Sequence, residues 1–471
     1  MSQMPVTALG PLLLAASPAA EPHPLMVTPF IVLLLCIALM PFIHKHHWEN
    51  HYPKVAIGFG LVTAFYYVVI LHNAPRMLAS LIEYAGFMAL IGSLFVIAGG
   101  IHVNISGRAT PAVNTGLLAL GAVIANLIGT TGASMLLIRP YLRINQGRVA
   151  PYHVVFFIFL VGNIGGALTP IGDPPLFLGY LKGVPFFWLM KSTAIVLSWL
   201  LCTGVLLALF FIIDSGNPQR NEAGPEAAGE NHVSIQGSRN FLWLGVILAL
   251  VLVQKAEWLH QLEHSALAAE VGRVMAWDSA KATENIVTLI VAALMILAAW
   301  VAYRFADRSA LTSNAFDFGP VREVGFLFVG IFATMVPALD LLEHHAAAVG
   351  ITTVRQFYWG TGALSSVLDN APTYLNFLAA AFGLHNLSLE DPAHMQAMLA
   401  DAATARYIVA VSLGAVFFGA VTYIGNGPNF MVKSIAESNG VKCPSFFGYV
   451  LKYALPILTP LFAVVAWLFL R

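Results

Sequence analysis

Charge is the scarcest property of this sequence. Asp, Glu, Lys and Arg make up 10% of its 471 residues, against about 25% in a soluble domain. With 58% hydrophobic residues and a mean hydropathy of +0.78, that shortage excludes a soluble globular fold. The 23 basic residues balance 23 acidic ones, so no positive excess exists to draw nucleic acid. Cysteine is nearly missing too. Cys36, Cys202 and Cys443 lie in or beside apolar segments, at spacings that match no metal or redox motif and support no structural disulfide. They read as packing residues. No Lys or Arg precedes the short apolar stretch from Leu9 to Ala20, so residues 1–25 read either as a weak cleavable signal or as a frayed tail.

What the chain has in abundance is long apolar runs. A helix needs about 20 such residues to cross the hydrocarbon. Met26–Phe42, Val55–Leu71, Leu81–Val103, Ser192–Ile213, Phe241–Val253, Glu284–Tyr303, Gly325–Leu342 and Phe447–Leu470 are expected to cross. Tyr152–Tyr180 and Ala405–Ala436 are expected to cross as helices broken by glycine and proline, which brings the crossings to about ten. Pro111–Leu142 and Thr353–Phe382 each hold two short apolar legs around a polar tip, the pattern of a re-entrant hairpin. Non-helical backbone at membrane depth persists only where protein buries it or it lines a wet cavity.

The chain also repeats itself. Leu127–Ser134 lies 239 positions before Ser366–Thr373, and Gly166–Pro175 lies 253 before Gly419–Pro428. The expected architecture is therefore an all-α polytopic membrane protein made of two repeats, residues 26–213 and 240–471. Each repeat has five crossings, one of them broken, and one hairpin. An odd number of crossings inverts the second repeat, so that a hairpin enters from each face. Residues 214–239, polar and rich in Gly, Ala, Glu and Asn, read as a cytoplasmic linker. Basic residues, among them Arg139, Arg143, Arg148, Arg304 and Arg308, are more numerous on the first hairpin's side. The positive-inside rule puts that side in the cytoplasm and both termini in the periplasm.

Candidate site residues cluster at the interruptions. The hairpin tips offer Thr130, Thr131 and Ser134, then Ser365, Asp369, Asn370 and Thr373. The breaks offer Thr169 and Asp173 in the first repeat, and Thr422, Asn426 and Asn429 in the second. Hydroxyls, amide oxygens, free carbonyls and carboxylates suit a hard cation such as sodium. Broken helices also present positive starts and negative ends at the membrane centre. An ionised Asp at mid-bilayer costs about 2.5–3.5 kcal/mol on insertion scales, so Asp173 and Asp369 are the leading cation or proton ligands. The competing reading makes either one a helix cap.

These motifs resemble the ion transporter superfamily, which includes NhaD-type sodium/proton antiporters, arsenite permeases, citrate transporters and divalent-anion/sodium symporters. Gly165–Asp173 is similar to the NhaD-type break, and Ser365–Thr373, with its Asp-Asn-Ala-Pro, to that group's second hairpin. Tyr423–Asn429 with Lys433-Ser434 is similar to a bacterial branch labelled citrate-transporter-like or sodium/proton antiporter. The resemblance runs from about Pro24 to the end of the chain. It implies scaffold and transport parts, a homodimer in the bacterial inner membrane and an elevator-like shift. Two departures count against a carboxylate substrate. Thr130-Thr131 stands where the symporter branch has Ser-Asn-Thr, and Asp369 precedes Asn370, placing negative charge where an anion would sit.

The leading expectation is a sodium/proton antiporter working by alternating access, with sodium and protons as transported ions and no cofactor. The alternative is sodium- or proton-coupled symport of citrate or a dicarboxylate. An intramembrane enzyme is a distant third, because Asp173 and Asp369 come from a break and a tip rather than from facing helices.

Overall fold

A computed structural model describes residues 21–106, 109–217, 232–346 and 350–470. Most of the N-terminal tail (1–20) and of the linker (218–231) lies outside the described residues. The described chain is almost wholly helical. Its one sheet pairs His102–Ser106 with His232–Gln236, antiparallel, with Asn104 opposite Ser234.

Ten helical stretches are long and apolar enough to cross a membrane. They match the expected crossings with two differences. Asn240–Gln254 has 15 residues, about 22 Å at 1.5 Å per residue, which is short of the ~30 Å hydrocarbon. Pro111–Ile144 has the length of a span at 34 residues, but it does not run straight. Asn114 and Asn145 exchange two amide hydrogen bonds, each 2.8 Å. In a straight helix, residues 31 positions apart would be about 46 Å apart. The segment is therefore a hairpin whose open ends are joined.

Its vertex is Gly129, at φ 78° and ψ 155°, a conformation open essentially to glycine. Thr110 caps the entering leg by accepting from the Val113 amide, with Pro111 in the first turn, where its missing N–H costs nothing. The second hairpin is Val354–Ser365 followed by Asn370–Leu384. Thr353 and Gln356 form a capping box at its start. An ideal Cβ on Gly360 would lie 2.9 Å from the Phe377 ring, so the two legs run close together.

Both expected breaks are present. Helix Pro151–Leu160 gives way to a 3-10 turn at Ile164–Leu168, then to extended Thr169, and helix resumes at Pro174–Leu181. In the second, Ala402–Phe418 is followed by Gly419–Val421, extended Thr422 and Gly427–Ser438. The two restarts match in detail. Asp173 sits at φ −145°, ψ 144° before a proline at the first position, and Asn426 at φ −153°, ψ 143° before Gly427-Pro428.

The described residues fall into two compact units that cut across the two halves of the sequence. One takes residues from Met1–Ser93, Val246–Ala298 and Phe318–His344; the other takes them from Leu94–Gly245, Ala299–Asp317 and His345–Arg471. In the first unit, Phe87 stacks on Phe328 at 4.9 Å and meets Phe332 at 5.6 Å. Lipid tails are as apolar as phenylalanine, so this cluster is held by close packing more than by escape from water. Asp340 is clasped by Arg76 and by the Tyr67 hydroxyl at 2.7 Å.

In the second unit the ends of the expected linker are ordered. Asp214 does not begin a flexible segment. It lies buried at the end of helix Thr193–Ser215, where it accepts from Arg148 (2.8 Å), Tyr152 (2.6 Å) and Asn114 (3.0 Å). His153 Nε2 lies 3.2 Å away. Residues 232–236 belong to the sheet. Two basic residues of this unit are buried. Arg148, counted among the basic residues of the first hairpin's side, is 1% exposed. Lys182 is ion-paired with Glu390.

Candidate ion-binding site

The second unit brings three of the sequence-derived site residues to the carboxylate of a fourth. Asp173 is 1% exposed, in the extended backbone that ends the first break. Its Oδ1 accepts from the Thr130 hydroxyl and from Asn426 Nδ2, both at 2.8 Å. Its Oδ2 accepts from Asn370 Nδ2 at 2.6 Å. Thr130 comes from the first hairpin tip, Asn370 from the second and Asn426 from the second break. All three partners are neutral. Neutral donors offset part of the desolvation of a buried carboxylate, and none of them cancels its charge.

Close backbone crossings hold the four elements together. The Thr130 amide donates to the Gly172 carbonyl at 2.8 Å, which fastens the first tip to the first break. An ideal Cβ on Gly172 would run into the Gly166 carbonyl, and one on Gly425 would sit 2.7 Å from the Gly419 carbonyl. Only a bare Cα lets the strands of each break pass. Gly172→Ala should therefore destabilise the folded protein by about 1–3 kcal/mol through overpacking. Thermal unfolding in detergent checks this, and an unchanged midpoint would mean that the crossing relaxes without strain.

Other expected site residues brace this centre without touching the carboxylate. Thr169 and Thr422 play matching parts. Each hydroxyl donates to a carbonyl of a hairpin leg, Asn126 O at 2.6 Å and Ser366 O at 2.5 Å. Each also accepts an amide of its own break, from Gly172 and Gly425, both at 3.1 Å. Ser365 donates to Ala415 O, and Thr373 to Asp369 O within its own helix. Asn429 Nδ2 donates to the carbonyls of Gly419 (2.7 Å) and Thr422 (2.9 Å). Asp369 serves as the helix cap, its Oδ1 accepting from the Ala371 amide at 3.0 Å. Thr131 is half-buried.

Two side-chain oxygens of the expected site residues are buried with no hydrogen-bond partner among the described residues: Asn370 Oδ1 and Ser134 Oγ. Ser134 stands one helical turn beyond Thr130. Asn370 Oδ1 belongs to the amide whose nitrogen already binds Asp173. Each such oxygen is a ready cation ligand of the hard type.

Two residues of the centre escaped the sequence reading. Asn126 donates to Gly165 O (2.6 Å) and accepts from the Leu168 amide. The 239-residue offset pairs it with Ser365, so the repeat held a signal for it. Asn163 joins the two breaks, donating to Asn429 Oδ1 at 2.7 Å. The 253-residue offset pairs it with Val416, and no repeat marked it.

A family model described as "Putative citrate transport" matches residues 20–470, nearly the whole chain. The chain belongs to that family. With that membership and its many apolar spans, it is a multi-pass membrane transporter. The resemblance read from its hairpins and breaks agrees with that membership. No curated protein matches the chain.

Proposed function

We propose that the protein exchanges sodium for protons by alternating access, with Asp173 as the group both ions share. One observation carries the reading: a buried carboxylate held by three neutral donors from three different elements. Such a group is stable when a cation or a proton completes it and poorly stable when bare. Sodium would find Asp173, with Asn370 Oδ1 and Ser134 Oγ as oxygens free to join. A proton would bind the same carboxylate and displace it. The donor set spans both hairpin tips, so a shift of either tip changes the affinity of the site. That is the coupling between occupancy and conformation that alternating access requires.

A second reading is cation-coupled uptake of citrate or a related carboxylate. The family's description favours it, as do the two helix starts at Pro174 and Gly427 beside the centre, whose positive ends suit an anion. Purified protein in proteoliposomes separates the two. An imposed sodium gradient should drive proton movement, read with a pH-sensitive dye, without citrate. Saturable counterflow of labelled citrate, with no sodium-dependent proton flux, would overturn antiport in favour of symport.

The donor set makes a sharper prediction. Thr130→Val keeps the shape and removes one hydrogen bond to the carboxylate, worth about 1.5–3 kcal/mol when the acceptor is charged. The sodium half-saturation concentration should rise roughly 10- to 100-fold. A half-saturation equal to wild type would remove Thr130 from the site.

A further inference from the structure

Three asparagines form an ordered chain behind the carboxylate, and the middle one makes no hydrogen bond to Asp173 itself. Asn429 Nδ2 faces the carbonyls of Gly419 and Thr422. Carbonyls only accept, so the nitrogen must point there and Asn429 Oδ1 must point the other way. Asn163 Nδ2 fills that oxygen at 2.7 Å and also donates to Ile158 O at 2.8 Å. Asn163 Oδ1 is then left for the Asn426 amide, which meets it at 3.2 Å, shares that donor with Gly162 O at 3.2 Å, and gives its other hydrogen to Asp173. Asn163 is fully buried and lies between the helix that ends at Leu160 and the second break. Its backbone, at φ −144° and ψ −84°, is neither helical nor extended, so the chain leaves the helix in a conformation that aims this amide across to the other break.

We propose that Asn163 is a positioning residue: it holds Asn426 with a donor turned toward Asp173 and braces the second break through Asn429. This rests on the reading of Asp173 as the transport site. Remove the Asn163 amide and Asn429 Oδ1 loses its donor, while one hydrogen of Asn426 is left with Gly162 O alone. Asn426 is then held less firmly in the orientation that donates to Asp173. Gly419 offers a second route to the same contact. Its backbone is helical, at φ −53° and ψ −26°, which alanine adopts freely, yet an ideal Cβ there would lie 2.9 Å from Asn163 Oδ1. Gly419→Ala presses a methyl group against that oxygen without straining its own backbone.

The test is a double-mutant cycle in proteoliposomes with Asn163→Ala, Asn426→Ala and the pair, and Gly419→Ala as the independent variant. Half-saturation for sodium and maximal flux per folded protein are read separately. Asn163→Ala and Gly419→Ala should each raise half-saturation about tenfold with maximal flux within about twofold of wild type. On the Asn426→Ala background, Asn163→Ala should add clearly less than it does alone, because the amide it positions is gone and only its brace on Asn429 is left to lose. Multiplying effects in the double variant, or a fall in folded yield with half-saturation unchanged in both Asn163→Ala and Gly419→Ala, would overturn the assignment. If wild-type protein carries citrate and exchanges no sodium, antiport fails on its own. The same cycle read on citrate counterflow then decides Asn163 independently.

Discussion

Asp173→Asn is expected to abolish sodium-driven proton flux, by at least about a hundredfold, while the protein folds as before. A hundredfold corresponds to about 2.8 kcal/mol at 1.4 kcal/mol per factor of ten. The variant removes the charge and keeps the shape. It is structurally tolerable because of its neighbour. The remaining oxygen of the new amide would keep the donors from Thr130 and Asn426. The new amide nitrogen would face Asn370 Nδ2, which now donates to Asp173, and two donors cannot pair. Asn370 resolves the conflict by turning its amide over, because its Oδ1 has no other hydrogen-bond partner among the described residues. The fold loses little, and the ion loses its only charged ligand in this donor set. Flux and thermal unfolding measured on the same preparation check both halves of the claim. Wild-type flux in Asp173→Asn would end the role given to this carboxylate.

Asp214→Ala should do the opposite and attack the fold. Asp214 and Arg148 form an ion pair at 2.8 Å with both side chains buried. Deleting one member of a buried pair leaves a bare charge and costs about 3–5 kcal/mol. Asn114, Tyr152 and Arg148 would all lose an acceptor together. The midpoint of thermal unfolding in detergent should fall sharply, with Arg148→Ala/Asp214→Ala recovering part of the loss because no uncompensated charge remains. Were the single variant to melt with wild type, the pair would contribute nothing to stability.

The parts of this architecture that were legible in the sequence are those where chemistry forbids the regular alternative. Proline removes a helical hydrogen bond and glycine takes a positive φ without a Cβ clash, so the dense Gly/Pro of both breaks and the vertex near Gly129 stood out, and with them Thr130, Asp173, Asn370 and Asn426. Residues whose role depends on a partner far along the chain were harder to read. Asn163 lies in an ordinary apolar run, and its partner Asn429 is 266 positions away. Asp214 looked like the first residue of a polar linker, because nothing local shows that Arg148 and Asn114 fold back to meet it. Asp369 illustrates a third limit. A carboxylate before a helix start reads equally well as cap or as ion ligand, and the structure uses it to cap Ala371. Asn240–Gln254 is the apolar helix that composition suggested, but at 15 residues it is shorter than the other spans.

The reciprocal amide pair between Asn114 and Asn145 has a mechanical consequence. Two buried hydrogen bonds across its mouth resist a scissoring of the first hairpin about Gly129. A swing as one wedge would break neither bond. Asn114 also grips Asp214, so any tilt of that wedge tugs on helix Thr193–Ser215. Thr130 would then leave Asp173 by rotation of the whole wedge and not by local fraying of its apex.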